Sequence, residues 1–214
     1  MTEYLTEQEQ IEVLKNWIKQ YSLVILAGVV IAIIGITGWR YWQQRQNKIL
    51  THASAIYDEM LTARVQNNAD TMLTQAQKLR THYPQTTYSQ LAALMLARNA
   101  LIQHHYAQAE EPLNWVINHS KIAALRQITR IRLARVLIAE QKYETAVKAL
   151  EKIEDKNFNG LTYEVKGDAY FAMKNIPMAR QSYQQALINL PNAEVIRPLL
   201  QMKYDNLAVE NSSS

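Results

Sequence analysis

A pair of helices is encoded by residues 163–191, which read YEVKGDAYFAMKNIPMARQSYQQALINLP. In each half a small residue, Gly167 or Ala179, is followed three or four residues later by a tyrosine, Tyr170 or Tyr183. Residues at this spacing share one face of a helix. We predict that the small residues let the two helices of the pair cross closely, and that the tyrosines fill the gap to the neighbouring pair.

The same pattern recurs along the chain at nearly constant intervals. Leu96-Ala97-Arg98 is repeated 37 residues later as Leu133-Ala134-Arg135, and Ala134 is followed after 33 more residues by Gly167. Internal repetition of this period is typical of arrays in which each unit buries its apolar face against its neighbour. The predicted helix pairs lie at about 51–84, 88–119, 122–157 and 160–190, with a last helix near Pro198 covering the end. Further matched positions are Tyr106 with Tyr143, Leu113 with Leu150, and Val116 with Ile153.

This sequence pattern resembles that of the tetratricopeptide repeat (TPR). Tyr163, Gly167 and Ala179 stand at positions of that pattern, and Pro191 is expected to stop the second helix, whereas Lys166 stands where the pattern has leucine. We therefore expect an all-α fold, with an N-terminal transmembrane helix followed by a TPR-like α-solenoid of about four helix pairs and a C-terminal capping helix. The alternative is a plain helical bundle with chance similarity.

The segment between Lys19 and Arg40 contains no charged residue. A helix of this length, at ~1.5 Å per residue, matches the ~30 Å thickness of the hydrocarbon core. Aromatic residues flank the segment on one side at Trp17 and Tyr21 and on the other at Trp39, Tyr41 and Trp42, as at membrane interfaces. We predict an N-terminal tail or amphipathic helix at 1–20, a transmembrane helix at 21–42, the repeat domain at 43–209 and a disordered tail at 210–214. A cleaved signal peptide is disfavoured because the apolar run is too long.

Small residues at Gly28, Ala32 and Gly35 share one face of this predicted transmembrane helix. Such a face allows a second membrane helix to approach closely, although glycine is common in membrane helices generally. Orientation is left open by the flanking charges, which favour a cytoplasmic repeat domain by a single positive charge.

In TPR arrays the first helix of each pair lines a concave groove. If that layout applies here, the groove is largely apolar and suits an apolar segment of another polypeptide. Burial of these residues by a terminal helix is the alternative. The candidate groove residues are Leu91, Leu94, Arg98 and Leu101 in the second pair, Ile128, Ile131, Arg135 and Ile138 in the third, and Glu164, Asp168 and Phe171 in the fourth.

Catalytic and cofactor chemistry is not indicated by the residues. The chain has no cysteine, no Gly-rich phosphate loop and no HExxH motif, and we expect neither enzymatic activity nor a metal or cofactor. The net charge of +4 is too balanced for a dedicated nucleic-acid binder. The arginines of one helix, Arg126, Arg130, Arg132 and Arg135, are predicted to pair with Glu140 and Glu144 on a solvated face, in preference to forming a patch for nucleic acid or anionic lipid.

Over nearly its whole length the chain resembles the YfgM family of ancillary subunits of the bacterial Sec translocon. The segments that carry the resemblance are Gly38-Trp39-Arg40-Tyr41-Trp42, Ile131-Arg132-Leu133-Ala134-Arg135-Val136, Lys166-Gly167-Asp168-Ala169, Ala179-Arg180-Gln181-Ser182 and Gln201-Met202-Lys203-Tyr204-Asp205-Asn206-Leu207.

The resemblance implies a single-pass protein of the bacterial inner membrane, with a cytoplasmic N-terminus and a periplasmic TPR domain. It further implies association with the SecYEG channel and with the chaperone PpiD, and a role in passing nascent or unfolded polypeptides to periplasmic folding factors. A generic TPR scaffold for another membrane complex, or a regulator of stress signalling, is the alternative.

Overall fold

The computed structural model describes residues 7–190 and 196–210, and all regular secondary structure in these ranges is helical. The prediction of an all-helical chain is therefore confirmed for this part. A 3₁₀ turn at Lys156–Phe158 lies between α6 and α7. In chain order the helices are α1 (Glu7–Val65), α2 (Ala69–His82), α3 (Thr87–Ile102), α4 (Tyr106–His119), α5 (Ala123–Ala139), α6 (Tyr143–Ala149), α7 (Asn159–Ala172), α8 (Ile176–Asn189) and α9 (Arg197–Glu210).

The chain divides into two compact units, one ending at His52 and the other beginning at Ala53. In the first unit large apolar side chains are exposed, among them Leu23 at 79% and Ile31 at 70%. Within the described ranges no single helix is long and apolar enough to cross a bilayer, but the segments Lys15–Val24 and Leu26–Val65, bent by 48° to each other, meet that test together. The straight span predicted at 21–42 stays a prediction.

The second unit is an array in which helices pack in chain order. From α2 to α9 each helix packs against the next one, and α5 also packs against α7 across the intervening α6. The small residues that mark the repeats, Ala97, Ala134 and Gly167, are all buried in the first helices of their pairs. This equivalence is what a TPR-like array requires, because a small residue is needed wherever two helices cross closely.

In each of the four pairs, one turn of the same conformation joins the first helix to the second. Asn67, His104, Gln141 and Lys174 occupy the left-handed region with φ between 55° and 61°, at intervals of 37, 37 and 33 residues. In every case the next residue donates its backbone N–H to the carbonyl five residues earlier, at 2.8 Å or 2.9 Å, as from Asn68 to Ala63. This is the hydrogen bond that closes a helix C-terminus around a left-handed residue. The turns therefore repeat with the period of the sequence.

Three clusters of buried apolar side chains follow one another along the second unit. The first joins the end of α1 to α2 and α3 around Met60 and Leu79. The second and largest runs from α3 to α7 and contains Ile131 and Leu150. The third joins α8 to α9 around Tyr183 and includes Leu200 and Leu207. The terminal helix α9 thus covers the apolar face that α8 would otherwise expose.

The third pair departs from the predicted helix boundaries, because α6 ends at Ala149 and does not reach residue 157. Ile153, expected as the helical equivalent of Val116, is half-buried in an irregular segment. That segment is held by α5, where Gln127 Oε1 accepts a hydrogen bond of 2.9 Å from the backbone N–H of Glu154. Pro191, where a helix stop was predicted, and residues 211–214 of the tail predicted at 210–214 lie outside the described residues, whereas Glu210 is the last residue of α9. Pro198 is the second residue of α9.

Candidate functional site

A cavity of about 580 Å³ opens on the first helices of the array, within the second unit. Four predicted groove residues of α3, namely Leu91, Leu94, Arg98 and Leu101, all line it. Two neighbouring helices complete much of its wall: the end of α1 contributes Tyr57 and Arg64, and α5 contributes Leu125 and Arg132. The structure therefore brings the second-pair candidates together at one cavity, and adds residues from the helices on either side.

The third-pair candidates on α5 are placed differently. Ile128 and Ile138 are half-buried and pack against the core, whereas Arg135 is exposed. Ile131 has no exposed surface and belongs to the core cluster, so its assignment to the groove wall was wrong. The physical reason is its position three residues before Ala134, on the side of α5 that packs against neighbouring helices.

At the fourth pair the inner face of α7 is covered by a side chain from α9. Lys203 Nζ donates to Glu164 Oε1 at 2.9 Å and to Asp168 Oδ1 at 2.8 Å. Arg135 reaches the second oxygen of Glu164 at 3.4 Å. Phe171, further along α7, is 42% exposed. The charged candidates Glu164 and Asp168 are therefore satisfied within the chain, and only Phe171 of this set presents a large open surface.

This charged cluster has a buried centre. Tyr183 donates its hydroxyl hydrogen to Asp168 Oδ1 at 2.8 Å. Burial raises the pKa of Tyr183 above its ordinary value, and the negative charge of Asp168 raises it further. Burial by itself would lower the pKa of Lys203, but the hydrogen bonds that it donates to Asp168 and Glu164 outweigh burial and raise that pKa. Lys203 is therefore held as a cation between two carboxylates.

The arginines of α5 do not pair as predicted. Arg126 and Arg130 both bind the carboxylate of Glu154, and the hydrogen bond from Arg126 is the main cause that lowers the pKa of Glu154 to about 2. Glu140, the expected partner, pairs with Lys142 at 3.1 Å. The prediction of pairing with Glu140 and Glu144 was therefore wrong, because the irregular segment after α6 carries Glu154 back against α5.

Among the described arginines that lack an acidic partner, three come together at one place. They are Arg64 on α1, Arg98 on α3 and Arg132 on α5, and all three line the 580 Å³ cavity. Sequence reasoning placed Arg98 in the groove but assigned Arg132 to a paired surface and did not select Arg64. The convergence of the three side chains at one cavity depends on how the array places α1, α3 and α5 relative to one another.

The predicted docking face of the first unit is open. Gly28, Ala32 and Gly35 are exposed, and a Cβ atom added at either glycine would meet no other atom within 4 Å. This small-residue face stays a prediction, as does the proposal that it contacts another membrane helix. Among the side chains that the structure describes, no three of histidine, aspartate or glutamate converge in the manner of a metal site.

Comparison with known proteins agrees with this architecture. The family described as "Tetratricopeptide repeat-like domain" matches residues 15–209. A Neisseria gonorrhoeae protein named ancillary SecYEG translocon subunit is 31% identical over 209 residues, which cover 97% of this chain and 100% of that protein. Proteins with the same name from Haemophilus influenzae and Escherichia coli are 26% and 24% identical, and each match covers at least 95% of this chain and 98% of the relative. The chain therefore belongs to the family of ancillary SecYEG translocon subunits, with a tetratricopeptide repeat-like domain.

Proposed function

We propose that this chain is a membrane-anchored adaptor of the Sec translocon that holds newly translocated polypeptides on the periplasmic side of the bacterial inner membrane. The observation that carries the proposal is the apolar cavity on the first helices of a TPR-like array, in a chain that matches translocon subunits over nearly their full length. Binding and not catalysis is the proposed role.

The anchor is proposed from the first unit. Its described apolar side chains between residues 21 and 42 are exposed, as expected of a helix surrounded by lipid. Aromatic pairs stand near both ends of the apolar run, with ring centroids 5.5 Å apart for Trp17 and Tyr21 and 5.3 Å apart for Trp39 and Trp42. Tyrosine and tryptophan prefer the two interfaces of a bilayer, so their placement supports a spanning role.

The partners follow from the anchor and the array. We propose that the small-residue face at Gly28, Ala32 and Gly35 packs against a membrane helix of the SecYEG complex. The family resemblance extends the proposal to the chaperone PpiD. The cavity on α3 supports contact with a nascent or unfolded polypeptide, because leucine side chains line it and an unfolded chain exposes apolar groups.

Purification from detergent-solubilised inner membranes tests the association. The tagged wild-type chain is expected to recover SecYEG components, and a Gly28→Leu/Gly35→Leu variant is expected to recover much less, because bulky side chains keep the partner helix away. Thr37→Leu is the control, since residue 37 is exposed and lies on the side of the helix opposite Gly28 and Gly35. Intact wild-type chain that recovers no channel component would contradict the proposal.

Membrane topology separates the proposed role from a cytoplasmic scaffold. Three positive charges follow the apolar run, at Arg40, Arg45 and Lys48, and two precede it, at Lys15 and Lys19, which slightly favours a cytoplasmic repeat domain. A C-terminal alkaline phosphatase fusion is expected to be active, because that enzyme folds only in the periplasm. An inactive phosphatase fusion together with a fluorescent C-terminal GFP fusion would establish the scaffold alternative and exclude periplasmic holding.

A further inference from the structure

The cavity on α3 combines an apolar wall with an uncompensated positive charge. Leu91, Leu94 and Leu101 supply apolar wall, whereas Arg98 and Arg132 supply guanidinium groups. Arg64 adds a third guanidinium from the end of α1. No aspartate or glutamate is among the described residues that line this cavity, so its positive charge is not balanced locally.

Four other arginines of the second unit each pair with a carboxylate. Arg126 and Arg130 share Glu154, and Arg80 on α2 binds Glu111 on α4. Only three residues after Arg132, on the same helix, Arg135 pairs with Glu164. Arg180 and Arg197 also lack an acidic partner among the described residues, but Arg180 lies over the ring of Tyr204 and Arg197 donates to backbone carbonyls. Within the same described ranges Arg64, Arg98 and Arg132 have neither kind of partner, so their charge is available at the cavity.

We propose that the cavity selects polypeptide segments in which apolar side chains flank an aspartate or glutamate. The apolar side chains would pack against the leucines, and the carboxylate would accept hydrogen bonds from the guanidinium groups, which are suited to two-point binding of carboxylates. This inference rests on the proposed function, because it specifies the chemistry of the polypeptides that the array holds.

Two features favour a polypeptide over a lipid headgroup as the source of the carboxylate or other anion. The volume of about 580 Å³ falls in the range of pockets that enclose a ligand, which allows several side chains to enter together. The leucines line the same cavity as the arginines, so an occupant must present apolar and anionic groups side by side. A short amphipathic sequence does so, whereas a headgroup carries its apolar chains on one side only.

Fluorescence anisotropy with the full-length chain in detergent tests the selection. The probes are short labelled peptides that are identical except for one central residue, which is aspartate, asparagine or lysine among leucines and serines. The wild-type chain is expected to bind the aspartate peptide about fivefold more tightly than the asparagine peptide, and the lysine peptide more weakly than both. The preference is expected to shrink as ionic strength rises from about 50 mM to about 500 mM.

The variant Arg98→Gln/Arg132→Gln is expected to bind the asparagine peptide as the wild type does, while its preference for aspartate disappears. Arg135→Gln is the control for the change on α5: like Arg132→Gln it removes one positive charge from that helix, but not from the cavity, and it is expected to keep the preference.

Equal affinity of the wild type for the aspartate and asparagine peptides would overturn the inference and leave the proposed holding role intact. A preference that survives in the double variant would overturn it as well. Phosphatidylglycerol vesicles that bind through Arg98 and Arg132, with no discrimination among peptides, would overturn it in favour of a lipid site. Binding of no peptide at all would contradict both the inference and the holding role.

Discussion

The ring of Tyr183 on α8 lies directly against the backbone of Gly167 on α7. A Cβ atom at Gly167 would come within 2.4 Å of both Tyr183 Cδ1 and Tyr183 Cε1, which is closer than side chains approach one another. The hydroxyl of Tyr183 then reaches Asp168, which in turn binds Lys203 of α9. Tyr183 therefore holds α7 and α8 together, and through Asp168 it is also connected to α9, the helix that covers the end of the array.

Replacing Gly167 with leucine is expected to destabilise the second unit by about 3 kcal/mol, because the added side chain forces Tyr183 out of its position and the two helices apart. Urea unfolding of the full-length chain in detergent, followed by circular dichroism, measures the loss. Gly38→Leu introduces the same side chain at an unobstructed helical site and is expected to leave the unfolding midpoint unchanged. An unchanged midpoint for Gly167→Leu would contradict the close crossing of α7 and α8.

Replacing Glu154 with glutamine is expected to destabilise the second unit by about 3 kcal/mol at neutral pH, because Arg126 and Arg130 lose their shared carboxylate and Arg130 is nearly buried. The same chemical change at exposed Glu144 on α6 serves as the control, and is expected to have little effect.

The effect of Glu154→Gln depends on pH in a definite direction. The folded state lowers the pKa of Glu154 from 4.5 to about 2, so the ion pairs stabilise the fold fully above pH 4.5. Their contribution is lost as the pH falls from 4.5 towards 2, where the carboxylate becomes protonated. The difference in unfolding free energy between wild type and Glu154→Gln should therefore narrow across this interval, and a constant difference would contradict the assigned pairing.

Aspartate substitutions are expected to distinguish residues that line the cavity from residues of the core by their effects on stability and on polypeptide binding. Ile131→Asp buries a charge in the centre of the largest core cluster and should abolish cooperative unfolding or cost more than about 4 kcal/mol. Leu91→Asp changes a side chain that is 40% exposed and lines the cavity, so it should weaken crosslinking to a nascent chain while stability changes by less than about 1 kcal/mol.

Leu73 on α2 provides the control for Leu91, since it is 52% exposed and does not line the cavity. Leu73→Asp is expected to leave crosslinking unchanged. Equal crosslinking by the wild type and Leu91→Asp would remove the cavity from the proposed function.

Replacing Lys203 with glutamine is expected to loosen α9, because nearly buried Glu164 keeps only its long contact to Arg135 and Asp168 loses its cation. The expected loss of stability is about 2 kcal/mol, in the range for hydrogen bonds to charged groups. Because the folded state raises the pKa of Lys203, its contribution is complete at neutral pH and is lost only above pH 10.5. Hydrogen exchange of α9 amides measures the loosening, and Lys78→Gln on α2 is the exposed control.

The helices and their repeat period could be predicted from the sequence because both depend on local spacing. Gly167, Ala134 and Ala97 recur at nearly constant intervals, and each is a small residue where two helices cross. The turns were harder to predict, because Asn67, His104, Gln141 and Lys174 share a left-handed conformation without sharing a side chain. Their backbone hydrogen bonds impose this conformation, and a glycine, which would have signalled it, is absent from all four positions.

The sequence by itself determined the helical repeats, the apolar N-terminal run and the family, since each is a pattern along the chain. Only the tertiary structure decided which side chains face the cavity and which ion pairs form. Ile131 is buried while Arg132, its neighbour, lines the cavity, and Glu154 folds back to Arg126 and Arg130 through an irregular segment. These outcomes depend on the angle at which helices pack and on where a helix ends, and neither quantity is encoded in the spacing of residues along one helix.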